Sequence, residues 1–470
     1  MKLAILGGGG FRVPQVYQAV AAASAPVRID ALVLYDQDAQ RLEAIRAVIA
    51  GMAVVGGPEV TATTSLEEAV TDADFIFCAI RVGGAQGRTR DERVALDHGV
   101  LGQETTGPGG LAYAMRTLPV MLDIARTVQR LAPQAWFINF TNPAGIVTEA
   151  LRTVLGERVV GICDTPIGLL RRAAEAVSSG TVSSRAVERF DYVGLNHLGW
   201  LRSFEVGGVD RLPELLASDA ALEGIEEARL MGFDWVRALG ALPNEYLYYY
   251  YFNREAVARI LSSGQTRGEF LLQQQAGFYA ELAAAAGAAA AGGEPAAHGT
   301  GDPSDEGAAL AAWQRTKHER EATYMAEGRP EGQEDARDEA DIDAGGYQQV
   351  ALDLMAALAT GRSATMILNV RNGSTVPGLP EECVVEVPCT VDADGIHPHE
   401  LAPVGGHMLG LMQTVKAVEQ LVIQAVIQRD ATLAWKALAV HPLVDSVAVA
   451  KQLLDGYVEA HPQLQELFGD

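Results

Sequence analysis

Four things are scarce in this chain, and each scarcity excludes something. No apolar run approaches the roughly 18 residues that mark a membrane-spanning helix. The N-terminus holds no basic segment followed by a long apolar stretch and a cleavage site. It starts in the strand-like Lys2–Leu6, so the expectation is a protein that is not secreted and stays in the cytoplasm. Cysteine is sparse. Cys78, Cys163, Cys383 and Cys389 have the spacing of neither a zinc cluster nor a disulfide framework, which suits a reducing compartment. Positive charge is scarce as well: 36 Lys and Arg stand against 60 Asp and Glu, for a net charge of −24. That balance argues against nucleic acid and anionic membranes as partners. It leaves room for a small anionic substrate, because a pocket can be locally basic.

What is present is a large hydrophobic content, 49% over 470 residues, enough for two or three domains or one elaborated α/β unit. Its first stretch has a recognisable order. Strand Lys2–Leu6 runs into Gly7-Gly8-Gly9-Gly10, a helical pattern follows from about Pro14 to Ala23, and strand Ala31–Tyr35 ends at Asp36. Strand, glycine turn, helix, strand, acid is the order of a dinucleotide site. The glycines let the backbone approach a pyrophosphate at a helix N-terminus, and the acid binds ribose hydroxyls. Gly7 and Gly9 fit the G-x-G-x-x-G register, while Arg12 holds the third glycine position. Candidate cofactor residues are therefore Gly7, Gly8, Gly9, Phe11, Arg12 and Asp36. An acid at position 36 favours NAD over NADP.

The alternation continues. Glu59–Thr63, Asp74–Ile80, Ala135–Phe140 and Val159–Ile162 read as strands. Leu66–Val70, Leu111–Leu131, Ile146–Leu155 and Ile167–Val177 read as helices. Such alternation implies a parallel sheet covered on both faces. Polar residues recur where the strands end, at Arg81, Asn139, Asn142, Cys163 and Asp164, and should converge on one rim. Cys163 taken alone reads equally as a small buried hydrophobe. The segment Arg88–Arg93 carries three arginines; it reads as a solvated helix face or as a holder of an anion. Gly102–Gly110 reads as a polar loop.

Gly7–Gly10, Gly102–Gly110, Phe140–Gly145, Gly161–Pro166, Gly194–His197, Pro243–Leu247, Asn369–Asn372, Val385–Cys389 and His441–Val444 together resemble glycoside hydrolase family 4 over nearly the whole chain. The resemblance implies an enzyme dependent on NAD and a divalent metal such as Mn2+, acting on 6-phosphoglycosides without the usual carboxylate pair. It implies oxidation of the sugar at C3, loss of the C2 proton, elimination of the aglycone, addition of water and return of the hydride. The roles it implies are metal binding for Cys163 and His197, C2 deprotonation for Tyr246, support of Tyr246 by Glu104, leaving-group protonation for Asp164, and substrate contact for Arg88, Asn142 and Arg267. Without the resemblance, Tyr246 is one tyrosine in the run Tyr246–Tyr251, which also reads as an aromatic packing face.

Within the family, Asp164 resembles the 6-phospho-α-glucosidases. Phe140–Leu151, Ala344–Tyr347 and Asn369–Ala450 resemble the 6-phospho-β-glucosidases. The expectation is the β-anomer, cleaved to glucose 6-phosphate from a phosphorylated disaccharide or aryl glycoside, by a homodimer or homotetramer. The alternatives are the α-anomer, a 2-hydroxy-acid-type dehydrogenase, or a non-catalytic NAD-binding sensor. The expected fold is α/β: an N-terminal Rossmann-type parallel sheet over residues 1–190, continuing into an α+β substrate and oligomerisation region over 191–470, resembling malate dehydrogenase. Asp191–Asn196 and Leu201–Val206 read as strands; Tyr347–Ala359 and Val415–Ala431 read as helices. Residues 283–343, first Ala- and Gly-rich and then heavily charged, read as a mobile excursion or partly helical insertion. Cys383 and Cys389 read as core, and His397 and His399 as loop residues rather than a metal pair.

Overall fold

The computed structural model of the protein describes residues 1–177, 187–292, 303–325 and 346–469, with backbone alone for 285–292 and 303–306. Six parallel strands make the first half: β1 (Lys2–Leu6), β2 (Ala31–Tyr35), β3 (Glu59–Thr63), β4 (Phe75–Cys78), β5 (Trp136–Asn139) and β6 (Val159–Gly161). Their spatial order is β3-β2-β1-β4-β5-β6. This is the doubly wound order of a Rossmann unit, with its switch point between β1 and β4. The inner strands are apolar along most of their length because helices cover both faces; Leu3, Ile5, Ile76 and Ile138 are fully buried.

The sheet then continues antiparallel. β7 (Val187–Leu195) and β8 (Leu198–Val206) form a hairpin, extended by the short β9 (Val209–Asp210) and β10 (Leu242–Pro243). β11 (Ala364–Arg371) and β12 (Val384–Asp392) insert between β7 and β6, and β13 (Gly395–Pro398) pairs with β12. One row of residues crosses the join: Gly161 faces Asn369, Asn369 faces Glu386, and Glu386 faces Gly194. Asn369 Nδ2 donates to Glu386 Oε1 at 2.8 Å, and the Tyr192 hydroxyl donates to Glu386 Oε2 at 3.2 Å. Both halves thus share one sheet, and the backbone that leads to Cys163 and to His197 is anchored in the same row.

The expected elements are present, most with small shifts at their ends; the helix expected over Val415–Ala431 runs instead from Gly406 to Gln428, and Ala431 opens the next one. The hairpin strands are longer than their apolar cores suggested, and His397 lies on β13 beside Asp392 rather than in a loop. The largest difference concerns the charged segment. Within it, Pro303–Ala322 is a helix lying against helices Arg267–Gly292 and Ala39–Ala50. Trp313 is buried there and its indole N–H donates to the Phe11 carbonyl at 2.8 Å. Phe11 in turn meets Phe278 edge-on at 5.2 Å. The helix is therefore fastened over the glycine turn rather than leading away from the body. Residues 293–302 and 326–343 of that segment lie outside the described residues. No helix among the described residues is long and apolar enough to cross a membrane.

Candidate active site

A cleft of about 820 Å³ runs along the carboxyl ends of the parallel strands. Its first end is the glycine turn. Gly7 has φ +89°, and a Cβ there would stand 2.9 Å from the Ala79 carbonyl oxygen, so only glycine fits. The Gly7 and Gly8 N–H groups donate to the Tyr35 carbonyl, which ties the turn to the end of β2. The Asp36 carboxylate accepts from the Gly9 N–H at 3.1 Å and stays in the cleft wall. Gly7, Phe11, Arg12 and Asp36 line the cleft. Gly8 and Gly9 do not: a Cβ on Gly8 would meet Leu34 at 2.7 Å, so Gly8 serves the turn's outer packing. The tight backbone and the acid at the next strand end suit the diphosphate and ribose of a dinucleotide.

The second end gathers Cys163, Asp164, His197, Tyr246, Glu104, Arg88, Asn142 and Arg267, all in the lining. These come from seven separate stretches of sequence: Asn142, Cys163 and Asp164 follow strand ends, His197 lies in the β7–β8 turn, Glu104 in a loop, Tyr246 in a short helical turn, and Arg88 and Arg267 on helices. His197 sits in that turn at φ +64°, a left-handed conformation costing a non-glycine residue roughly 1 kcal/mol. Its Nδ1 bonds the Thr105 hydroxyl at 2.9 Å, and its Nε2 has no hydrogen-bond partner among the described residues. Burial, opposed by the Glu104 carboxylate, holds its pKa down at about 3, so the imidazole is neutral. One nitrogen oriented and the other free on a neutral ring is the arrangement of a metal-binding histidine. Burial pushes the Cys163 thiol well up, with the Glu386 and Asp164 carboxylates adding to the effect. Among the described residues no three His, Cys, Asp or Glu side chains converge as a cation site, so a metal on Cys163 and His197 needs further oxygens from water or ligand.

Of the tyrosine run, Tyr246 and Tyr249 line the cleft. Tyr246 lies flat on the His197 ring, centroids 3.7 Å apart and planes 7° from parallel. Tyr251 instead accepts from the Trp200 indole, and Tyr249 reaches the Met325 sulfur. The hydroxyl of Tyr246 pairs with that of Tyr324 at 3.0 Å, and Tyr324 donates to Glu245 Oε1 at 2.6 Å. Burial, then the Glu245 carboxylate, raises Tyr246 well above the ordinary phenol range. Burial, with the Glu227 and Glu226 charges, raises Glu245 to about 8.

The residue expected to support Tyr246 makes other contacts. Glu104 is paired with Arg81 at 2.7 Å and with Arg88 at 2.8 Å. Burial raises its pKa, but Arg81, Arg88 and Arg320 outweigh that and leave it ionised well below the usual carboxylate range. Arg88 is buried and also pairs with Glu92 at 2.6 Å, so it does not stand on a solvated face. Arg267 donates to the Thr323 hydroxyl and the Arg320 carbonyl. Asn142 keeps a buried Oδ1 without a hydrogen-bond partner. Glu245, Arg320 and Tyr324 are the functional candidates that the sequence did not single out. Glu245 lies inside the quoted Pro243–Leu247 motif. Trp313, Arg320 and Tyr324 share one helical face by spacing, a signal submerged in charged neighbours.

Comparison with known proteins adds the family. Family 4 glycosyl hydrolase matches residues 2–179, and the family 4 glycosyl hydrolase C-terminal domain matches residues 192–444. A probable 6-phospho-beta-glucosidase of Bacillus subtilis is 29% identical over 473 residues, spanning 98% of this chain and 96% of the relative. The 6-phospho-alpha-glucosidase 1 of Lacticaseibacillus paracasei is also 29% identical, over 475 residues and 97% and 96% of the two chains. Among solved structures, the 6-phospho-beta glucosidase from Thermotoga maritima with manganese, NAD+ and glucose-6-phosphate is similar at TM-score 0.77 and 27% identity, over 98% of each chain.

Proposed function

The chain belongs to family 4 of the glycosyl hydrolases, and from that premise we propose that it hydrolyses 6-phosphoglucosides to glucose 6-phosphate, with NAD and a divalent metal such as Mn2+ as cofactors. One observation carries the reading: a single cleft joins the glycine turn and Asp36 to the cluster of Cys163, His197 and Tyr246. Relatives named for both 6-phospho-β- and 6-phospho-α-glucosidase activity, and a similar structure holding NAD+, manganese and glucose-6-phosphate, support it. We read residues 1–190 as the dinucleotide half and 191–470 as the substrate half.

In this reading Cys163 and His197 hold the metal, and Gly7, Phe11, Arg12 and Asp36 hold the dinucleotide. When bound, the dinucleotide supplies reversible hydride acceptance, and the metal supplies positive charge that polarises the sugar C2 and C3 oxygens and favours the phenolate of Tyr246. Tyr246 takes the C2 proton at its hydroxyl oxygen. Its stacking on His197 keeps that oxygen close to the metal-binding pair. Glu104, held ionised by Arg81 and Arg88, adds negative charge on the substrate side, and Asn142 offers an unpaired amide oxygen to a sugar hydroxyl. Arg88 and Arg267 contribute positive charge to the same end.

We assign the β-anomer on the resemblance of Phe140–Leu151 and Asn369–Ala450. Asp164, in the cleft wall, favours the α-anomer, because an acid there protonates a leaving group on one face only. The test is hydrolysis of nitrophenyl 6-phospho-α- and 6-phospho-β-glucosides, with NAD+ and Mn2+ each added or omitted. The expected result is β-selective release of nitrophenol that requires both additions. Release without NAD+ removes the redox mechanism, stoichiometric NADH points to a dehydrogenase, and cleavage of α-substrates alone reverses the anomer.

A further inference from the structure

Seven arginines line the cleft, and six of them have partners among the described residues. Arg81 and Arg88 are paired with Glu104, Arg172 with Glu227, and Arg12 faces Glu321 at 3.9 Å. Arg41 donates to the Tyr279 hydroxyl, and Arg267 to the Thr323 hydroxyl and the Arg320 carbonyl. The seventh, Arg320, has a guanidinium that makes no hydrogen bond or ion pair among the described residues; its central carbon stands 5.8 Å from the centroid of the Phe11 ring.

An unpaired guanidinium in a wall is costly, and its surroundings raise the cost. Arg320 lies close enough to Arg12 and Arg267 to be repelled by both. Burial, then Arg12 and Arg267, brings its pKa down to about 9 despite the Glu321 and Glu104 charges. Nothing loosens the helix to let it escape: Trp313, seven residues earlier on the same face, is fastened to the Phe11 carbonyl, and Tyr324, four residues later, reaches Tyr246 and Glu245. A charge held in place beside like charges is well suited to meet an anion that a ligand carries. Neighbouring guanidiniums suit a multiply charged oxyanion.

We propose that Arg320, in the same cleft lining as Arg12 and Arg267, is the seat of a phosphate group that a ligand carries into the cleft. The proposal rests on the reading that the cleft's ligands are phosphorylated. Two of them bear that chemistry: the sugar 6-phosphate, and the dinucleotide diphosphate next to the glycine turn. It adds Arg320 to Arg88 and Arg267, the arginines expected at the site of the anionic sugar.

The experiment is calorimetric titration of the full chain with orthophosphate, glucose 6-phosphate and NAD+ separately, for wild type, Arg320→Met, Arg320→Lys and Arg315→Met. Arg315 removes the same charge from the outer side of the same helix, where it pairs with Glu281. Arg320→Met is expected to weaken orthophosphate and glucose 6-phosphate by about tenfold or more, the loss of a charged hydrogen-bond pair. Arg320→Lys recovers part of that loss, and Arg315→Met changes neither. A loss confined to NAD+ assigns the seat to the diphosphate instead. Unchanged binding of all three overturns the proposal. Without ligand, Arg320→Met melts at the same temperature as wild type or higher, because a repelled charge is gone. A lower melting temperature with equal loss of every ligand means a scaffold role and also overturns it. Failure of the functional reading looks different: orthophosphate binding through Arg320 with no hydrolysis leaves the seat and removes the activity. Hydrolysis unaffected by Arg320→Met does the reverse.

Discussion

The cleft has two walls of different make. One is built from strand ends and their turns: Gly7, Asn142, Cys163, His197 and the short helical turn at Tyr246. The other is built from helices Arg267–Gly292 and Pro303–Ala322 with the turn after them, and it supplies Arg267, Arg320 and Tyr324. In the proposed reading the strand-end wall carries the chemistry of metal, cofactor and base. The helical wall carries charge and a hydroxyl that reaches across to that base. A strand end displays one or two side chains in a direction set by the sheet, so polar residues there stand out against an apolar run. A helix displays a face, and its members are separated by residues that face solvent.

The comparison breaks most sharply at Cys163. If the strand-end wall holds the metal, Cys163→Ser loses at least about a hundredfold in Mn2+ affinity, and metal-dependent hydrolysis with it. NAD+ affinity is expected to stay near wild type, because the glycine turn is at the other end. Calorimetry with Mn2+ and with NAD+ reads both. Wild-type activity of the variant at low Mn2+ would remove Cys163 from the metal site.

Tyr246→Phe tests the same wall one step further along. Removing a general base typically costs about 10²- to 10⁴-fold in kcat. The stacking on His197 survives in phenylalanine, so Mn2+ affinity should move little. Wild type turned over in deuterated water places deuterium at C2 of the product, and mass spectrometry of glucose 6-phosphate detects it. A variant that keeps wild-type kcat, or a wild type that incorporates no deuterium at C2, sinks the assignment.

The two walls differed in how readable they were. β1 to β6 and most of the helices among them follow from apolar runs, a capping serine at Ser65 and a proline at the start of helix Thr165–Val177, whereas helix Ala39–Ala50 was not read. The site residues at strand ends followed from that topology together with the family resemblance. Periodicity was of no help for Pro303–Ala322, because its buried face is small, Ala309, Ala312 and Trp313, among Lys, Arg and Glu. Its charge suggested an excursion. In fact that charge is divided, with Arg315 outside and Arg320 inside. Partner choice was equally invisible: nothing local predicts that Glu104 pairs with Arg81 and Arg88 while Tyr324 takes the Tyr246 hydroxyl, since these meet over separations of 16 to 78 residues only once the sheet is assembled.

Tyr324→Phe asks whether the helical wall acts on the reaction or only closes the cleft. The ring remains and the hydroxyl between Tyr246 and Glu245 goes. If that hydroxyl orients Tyr246, kcat falls by about tenfold, the worth of one well-placed hydrogen bond, and KM stays within about twofold. A change in KM alone, or none, reduces Tyr324 to packing and leaves the strand-end wall as the sole site of the chemistry.

The smallest expected effect lies where the walls touch, at Glu245. Its backbone belongs to the strand-end wall, and its Oε1 accepts from Tyr324 of the other. Burial first, then Glu227 and Glu226, raises its pKa from 4.5 to about 8. The folded protein therefore keeps a proton that the unfolded chain releases above about pH 4.5. By linkage, the stability associated with that proton is complete below the unfolded value and is lost as pH rises through the folded one. The window is about pH 4.5 to 8. Glu245→Gln has no proton to lose, and its amide still accepts from Tyr324. Between about pH 5 and 8, the melting temperature of wild type is expected to fall a few degrees more than that of the variant, with the two curves converging toward pH 4.5. Parallel curves across that window would mean that Glu245 is already ionised at low pH, stabilised by Arg172 beyond what its burial opposes. The Tyr324 hydroxyl would then be donating to a carboxylate at every pH at which the protein is folded.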